Sequence, residues 1–151
     1  MSDAVSAVVE FSRRTSVAFI FCMILCSGVF DCLHAGHTRY LRAARALGLG
    51  ECLKVAIAPD SYIRTKKHRE PHWTQSDRAE TVLALGCVDA VVVHAEDSVA
   101  FVIRSDAPRL FVKGEDWRGQ LPEDVLAACQ AVGTEIRFVS TPGRHVSEAF
   151  A

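Results

Sequence analysis

The sequence lacks a strong net charge, a paired-cysteine motif and an apolar run long enough to cross a membrane. Its 151 residues carry a formal net charge of −1, so there is no global basic field to attract nucleic acid. Its six cysteines form no CxxC pair and lie mostly in apolar runs, which is typical of reduced thiols in the cytoplasm. We therefore expect a cytoplasmic protein that binds neither nucleic acid nor membranes.

One apolar segment, Val17–Cys26, allows two interpretations. Arg13 and Arg14 precede it, as basic residues precede the apolar part of a secretory signal, yet the run is too short for a transmembrane helix. It fits a fully buried parallel strand equally well and leads directly into a glycine and histidine motif. We favour the strand, because removal of this segment would take away the support of that motif.

The chain is rich in apolar residues and alternates strand patterns with helix patterns. Half of its residues are hydrophobic, and its length suits one domain, which we place at residues 16–151 after a terminal arm or short helix at residues 1–15. The predicted strands are Val17–Cys26, Cys52–Ala58, Val88–Val93, Arg109–Lys113 and Glu135–Val139. The predicted helices between them begin near His37, Thr74, Glu96 and Pro122. This order predicts a single Rossmann-like, doubly wound α/β domain with a five-stranded parallel sheet and helices on both faces.

Three loops that follow predicted strands carry the polar and glycine residues that suggest a site. They are Gly28–His37, the polar loop Asp60–Trp73 and Gly114–Gly119. Right-handed crossovers place such loops along one edge of a parallel sheet, where ligands of this fold class bind. We therefore expect the candidate site residues to meet at that edge.

Within the first loop, His34 and His37 flank Gly36 at a predicted strand-to-helix turn. Gly28 and Gly36 would let backbone N–H groups approach a phosphate, and the helix start adds free donors. Two imidazoles beside that anion suit nucleotidyl transfer, in which positioned donors stabilise the charge on the reacting phosphate. Either histidine alone could be a surface or helix-cap residue. A metal site formed with Cys32 lacks a fourth ligand at standard spacing, so we predict no protein metal site.

The segment Gly28–His37 reads GVFDCLHAGH and resembles the HxGH signature of the cytidylyltransferase-like nucleotidyltransferases. The likeness runs from about Val17 to Val139, with further landmarks at Ser76–Glu80 and Val112–Trp117. Heptose-1-phosphate adenylyltransferases and glycerol-3-phosphate cytidylyltransferases are the most similar subgroups. Glu96–Ser98 and Lys113-Gly114 favour the heptose type, whereas Asp116–Gly119 favours the glycerol type.

The resemblance implies an enzyme that joins a nucleoside triphosphate, ATP or CTP, to a phosphorylated sugar or polyol and releases pyrophosphate. It also implies Mg²⁺ as cofactor and a homodimer. The residues with implied catalytic roles are His34, His37 and Lys67. Implied nucleotide contacts are Gly28, Val29, Phe30, Gly36, Lys66, Gly114 and Asp116. Implied contacts to the acceptor substrate are Asp31, Arg78 and Lys113. As alternatives, Lys66 and Lys67 belong to a charge run that is simply solvated, and Arg78 is a structural ion-pair partner.

The C-terminal segment departs from the family, which usually carries a hydroxyl-rich stretch opening a last helix over the nucleotide. Here only Ser147 keeps a hydroxyl at the matching positions, and Thr141 stands where an arginine is common. We expect Arg144 and Ser147 to contact the nucleotide in a rebuilt site. The alternative is a nucleotide-binding module that has lost turnover.

Overall fold

A computed structural model describes residues 9–12, 23–48, 50–95 and 97–141, and these ranges contain one six-stranded sheet. In chain order the strands are β1 (Val9–Ser12), β2 (Met23–Gly28), β3 (Cys52–Ile57), β4 (Ala90–Val93), β5 (Leu110–Gly114) and β6 (Glu135–Val139). The helices are α1 (Ala35–Ala46), α2 (Asp60–Lys66), α3 (Gln75–Leu83), α4 (Ala100–Asp106) and α5 (Glu123–Val132), with a 3₁₀ turn at Glu115–Trp117. None of the helices in these ranges is long and apolar enough to span a bilayer.

The strand order is β1-β4-β3-β2-β5-β6, and β2 pairs in parallel with both β3 and β5. Strands β2 to β6, which correspond to the five predicted strands, all run parallel, and this confirms the predicted fold class. Residues 17–22 of the first predicted strand lie outside the described residues. Strand β1 is an addition that the sequence analysis missed, since Val9–Ser12 was placed in a terminal arm or short helix. It pairs antiparallel with β4 and so covers a backbone edge that would otherwise be open.

Helices cover both faces of the sheet, as predicted. Successive residues of a strand point to opposite faces, and strand β2 shows this directly. Ile24 belongs to a buried cluster with Leu41 of α1 and with residues of α3. The next residue, Leu25, belongs to a second cluster with Ile103 of α4 and with residues of α5. The cysteines within the described ranges are free, and Cys22 lies outside them.

Two helix starts and one helix end have residue types that are common at helix termini. The Thr74 side chain accepts a hydrogen bond from the Asp77 backbone N–H and caps α3. Helix α5 follows Pro122 and ends at Gly133, which has a φ of 74° in the left-handed region. The turn at Gly133 leads into β6 at the predicted residues, Glu135–Val139.

The prediction of a polar loop over Asp60–Trp73 is wrong for its first half, which forms α2. Only one described position of this seven-residue helix, Ile63, is buried, and it is fully buried. A single buried residue among polar ones gives no readable apolar period, so tertiary packing decides the conformation. Lys66 and Lys67 consequently lie at the end of a helix, where Lys67 N–H donates to the carbonyl of Ile63 at 3.0 Å.

Helix α4 also differs, since it begins at Ala100 and was predicted from Glu96, which lies outside the described residues. The hydroxyl of Ser98 accepts a hydrogen bond from Ala100 N–H at 3.2 Å and donates one to Asp124. A serine side chain bound to nearby backbone in this way favours a turn over a helix. Ser98 therefore lies in the connection between β4 and α4, close to the first turn of α5.

Arg78 of α3 connects the loops at the carboxyl ends of β2 and β3. Its side chain is 1 % exposed and donates to the carbonyls of Val29 at 2.6 Å and Ala58 at 2.8 Å. It also donates to the Trp73 carbonyl at 3.2 Å and pairs with Asp60 at 2.8 Å. A buried guanidinium with such partners fixes the backbone that surrounds it.

We predict that Arg78→Met lowers the free energy of unfolding by about 3 kcal/mol, because the carbonyls and carboxylate that Arg78 serves stay partly buried without their donor. Urea denaturation measures this change. The matched control is Arg64→Met, which breaks an exposed pair with Glu70 and should cost about 0.5 kcal/mol or less. Equal losses in the two variants would contradict the assigned role of Arg78.

Candidate active site

A cleft of about 760 Å³ opens at the carboxyl ends of β2 and β5. The chain continues from β2 to β3 and β4 on one side and returns to β5 and β6 on the other, so the strand order reverses there. Parallel α/β sheets bind their ligands at this kind of switch point. The predicted site residues that line the cleft are Gly28, Val29, Phe30, His34, Gly36, His37, Lys66, Lys67, Lys113, Gly114 and Asp116.

The two histidines cap the first turn of α1 reciprocally. His34 Nδ1 accepts a hydrogen bond from Gly36 N–H at 3.0 Å, and His37 Nδ1 accepts one from His34 N–H at 3.3 Å. Each Nδ1 must therefore present a lone pair, so a neutral ring carries its proton on Nε2. The helix-cap role and the candidate catalytic role thus fall on the same side chains, because capping leaves each Nε2–H as a donor.

His37 is held in its neutral form. Burial, together with the neighbouring His34, lowers the pKa of His37 to about 4. Its ring centroid lies 4.0 Å from that of His34 and 5.1 Å from that of Phe30. At pH 7 His37 therefore offers a hydrogen bond and no positive charge.

The glycines of the motif make room for aromatic rings of the same loop. A Cβ on Gly36 would lie 2.7 Å from Cε1 of His34, and a Cβ on Gly28 would lie 2.8 Å from the ring of Phe30. Phe30 has a φ of 52°, a left-handed conformation that costs a bulky residue about 1 kcal/mol or more. The turn is therefore an interlocked unit in which backbone and rings determine each other's positions.

On the opposite wall, Lys113 and Asp116 are held by contacts within the chain. Lys113 Nζ donates to the backbone oxygen of Ser27 at 3.0 Å and lies 4.5 Å from the centre of the Trp117 ring. A Cβ on Gly114 would lie 2.5 Å from Oδ1 of Asp116, so glycine at this position leaves room for the Asp116 carboxylate.

Asp31 and Arg78, predicted to contact the acceptor, do not line the cleft. Asp31 is 4 % exposed and accepts hydrogen bonds from Arg69 at 2.6 Å and from the backbone of His72 and Trp73 at 3.0 and 3.1 Å. Their contacts within the chain fix the loops around the cleft, which agrees with the structural alternative for Arg78. A contact of either residue with substrate stays a prediction. Arg144 and Ser147 lie outside the described residues.

The cleft also contains residues that sequence reasoning did not assign to the site. Tyr40 of α1 donates its hydroxyl to the Val112 carbonyl, and His94 directly follows β4. Asp97 and Asp124 line the side formed by α4 and α5. His94 could have been found by the rule that selected the three loops, since it stands at the carboxyl end of a parallel strand. Tyr40 gave no signal beyond its place on an apolar helix face.

Comparison with protein families agrees with this geometry. Residues 25–146 match the family described as cytidylyltransferase-like. The chain therefore belongs to the cytidylyltransferase-like family, and its class is that of the nucleotidyltransferases.

Among curated proteins the chain is similar to the bifunctional protein HldE of Citrifermentans bemidjiense and of Geotalea uraniireducens. The identities are 36% and 35% over 141 residues, which cover 91% of this chain and 27% of each relative. The chain thus spans about a quarter of the length of these relatives. Among solved structures it is similar to a lipopolysaccharide core biosynthesis protein from Thermoplasma volcanium. That likeness has a TM-score of 0.66 at 25% identity and covers 82% of this chain and 98% of the other.

We predict that His37 exists as the neutral Nε2–H tautomer at pH 7 and takes up a proton only near pH 4. Because an ordinary histidine has a pKa of 6.5, the unfolded chain binds more protons in this window, and stability should fall as the pH drops from about 6.5 to about 4. Long-range ¹H–¹⁵N correlation spectra of the imidazoles check both statements, with the exposed His72 as the reference signal. An Nδ1–H tautomer, or protonation above pH 6, would contradict the reciprocal cap.

Proposed function

We propose that this domain transfers a nucleotidyl group from a nucleoside triphosphate, with ATP favoured over CTP, to the phosphate of a sugar or polyol. The reaction would be of the heptose-1-phosphate adenylyltransferase type. The observation that carries the proposal is the pair of mutually capping histidines, which share one cleft with Lys66 and Lys67. The similarity to proteins named HldE and to a lipopolysaccharide core biosynthesis protein supports a sugar acceptor.

In the proposed reaction a phosphate oxygen of the acceptor attacks the α-phosphorus of the nucleotide. The new phosphorus–oxygen bond forms as the bond to the β-phosphate breaks, and pyrophosphate leaves. The negatively charged α-phosphate oxygens would accept hydrogen bonds from Nε2–H of His34 and His37. Both histidines lie at the N-terminus of α1, which is the positive end of the helix dipole. Because His37 is neutral and half-buried, its donor is in place before the reaction and needs no proton transfer.

The remaining walls of the cleft suit the other parts of the two substrates. Lys66 and Lys67 have exposed side chains that would neutralise the β- and γ-phosphates and then the leaving pyrophosphate. Gly28, Val29 and Phe30 would pack along the nucleotide, and Asp116 would accept hydrogen bonds from hydroxyls of the ribose. Lys66, Lys67 and Asp116 line one cleft, which therefore offers cationic and anionic groups to a substrate with a charged and a hydroxyl-rich end.

Magnesium fits this arrangement as a companion of the nucleotide. Within the described ranges, groups of three or more histidine, cysteine or acidic residues that could hold a metal ion are absent. Mg²⁺ normally keeps several waters and binds through substrate phosphates and one or two carboxylates. Asp97, Asp116 and Asp124 line the cleft and could supply such a carboxylate. When bound, the ion would withdraw charge from the phosphates.

We further propose the homodimer that the resemblance implies.

Release of pyrophosphate tests the proposed function. ATP and CTP are each offered with Mg²⁺ and with heptose 1-phosphate, glycerol 3-phosphate, phosphocholine or phosphoethanolamine. We expect release from ATP with heptose 1-phosphate. Release from CTP with glycerol 3-phosphate would instead support the cytidylyltransferase that Asp116–Gly119 suggests. Nucleotide binding without release from any pair would contradict turnover and favour a binding module.

We predict that His34→Asn lowers kcat by a factor of about 10²–10³, the usual loss for one transition-state donor, and leaves the fold intact. Asparagine is a good helix cap, so it should keep the capping role of His34 while removing its Nε2–H donor. His37→Ala should lower kcat by a similar factor. His72→Ala, which alters an exposed histidine outside the cleft, should keep the parent rate. The pyrophosphate assay and circular dichroism measure the two effects, and near-parent rates in both site variants would refute their catalytic role.

A further inference from the structure

The ammonium group of Lys113 joins three separate segments at the switch point of the sheet. Lys113 is 8 % exposed and ends near the carboxyl end of β5. Its Nζ donates to the backbone oxygen of Ser27 at 3.0 Å and to the Ser27 hydroxyl at 3.3 Å, both at the end of β2. It also lies 4.5 Å above the Trp117 ring, at the end of the 3₁₀ turn. One cation therefore connects the two walls between which the cleft opens.

The surroundings of the Lys113 ammonium group bring its pKa close to neutral pH. Burial lowers the pKa of Lys113 to about 8; Cys26 and Asp116 oppose the shift, and Lys67 adds to it. Burial raises the pKa of Cys26 to about 12 and that of Tyr40 well above its ordinary value. Among Cys26, Tyr40 and Lys113, Lys113 is thus the group that changes charge between pH 7 and pH 9.5.

We propose that Lys113 is a positioning residue for the nucleotide, whose protonated ammonium group holds the end of β2 and the turn Glu115–Trp117 at a fixed separation across the cleft. The identity of the ligand rests on the proposed function. Gly28 and Val29 directly follow Ser27, and Asp116 directly precedes Trp117. The contacts of Lys113 with Ser27 and Trp117 therefore position the proposed nucleotide contacts on both walls of the cleft. This role differs from the contact with acceptor that the sequence resemblance implies for Lys113.

Loss of the proton from the Lys113 ammonium group weakens its contacts with both Ser27 and Trp117. A neutral amine donates fewer hydrogen bonds and has no attraction to the face of an indole ring. An anionic nucleotide in the cleft favours the protonated form, so binding above pH 8 is coupled to proton uptake. Nucleotide affinity should therefore fall as the pH rises through about 8. A lysine that served only the core would change stability and leave this profile flat.

The test uses a Trp73→Phe, Cys32→Ser parent, in which Trp117 is the remaining tryptophan and the exposed thiol of Cys32 is removed. Trp117 fluorescence of the free protein is recorded from pH 6.5 to 9.5, and the Kd of Mg-ATP is measured at pH 7.5 and 9.5. We expect a fluorescence transition near pH 8 and a Kd that weakens about tenfold, the scale of one hydrogen bond to a charged group. Lys113→Met should lack the transition and bind weakly at both pH values.

Two further variants separate this role from general effects. Lys67→Met removes another cation of the cleft. It should bind nucleotide more weakly at both pH values and keep a fluorescence transition, moved to higher pH because Lys67 helps to lower the pKa of Lys113. Lys113→Arg retains its charge at pH 9.5 and should bind with similar affinity at both pH values. If Lys113→Met does not fold, the arginine variant and the profile of the parent decide the question.

The outcomes are distinguishable from failure of the proposed function. A parent that binds ATP with the same Kd at both pH values overturns the role of Lys113 and leaves the function in place. A transition that persists in Lys113→Met also overturns it. A parent that binds no nucleotide at either pH refutes the proposed function, and with it the ligand that Lys113 was proposed to position.

Discussion

The reciprocal cap between His34 and His37 is the interaction on which the organisation of this site depends. The first turn of any helix leaves backbone N–H groups without partners, and here two imidazole nitrogens supply them. The same bonds choose the tautomer of each ring, so the solution to a folding problem also determines which atoms remain for chemistry. A conventional serine or aspartate cap would stabilise the helix equally well and would leave no such donor.

The surrounding scaffold serves to hold that turn still. Arg78 and Asp31 lie behind the cleft, each almost fully buried, and gather the backbone of the neighbouring loops with hydrogen bonds. Charged residues near a phosphate site invite assignment as ligands, yet these two are engaged by the protein itself. A buried charge needs partners within the chain, and both residues have them. Their contact with substrate stays a prediction.

The sequence predicted the sheet well because five strands and a few helix ends leave local signals. Short apolar runs, the Thr74 cap and Gly133 each act over a few residues. Helix α2 and strand β1 escaped prediction since tertiary contacts create them: a single buried residue, Ile63, in one case and pairing with β4 in the other. The same division holds within the site. Residues that follow strands could be predicted, whereas the burial of Asp31 and the contact of Lys113 with Ser27 depend on distant parts of the chain.

The close contact between Gly36 and the His34 ring has a consequence for protein design. The His34 ring fills the space that a side chain on Gly36 would need. The spacing of the motif therefore reflects the packing within the loop as well as the binding of a ligand. Introducing the two histidines alone into another helix would therefore reproduce the sequence of the motif but not its geometry. A functional graft would have to carry Gly28–His37 as one piece, including the left-handed turn at Phe30.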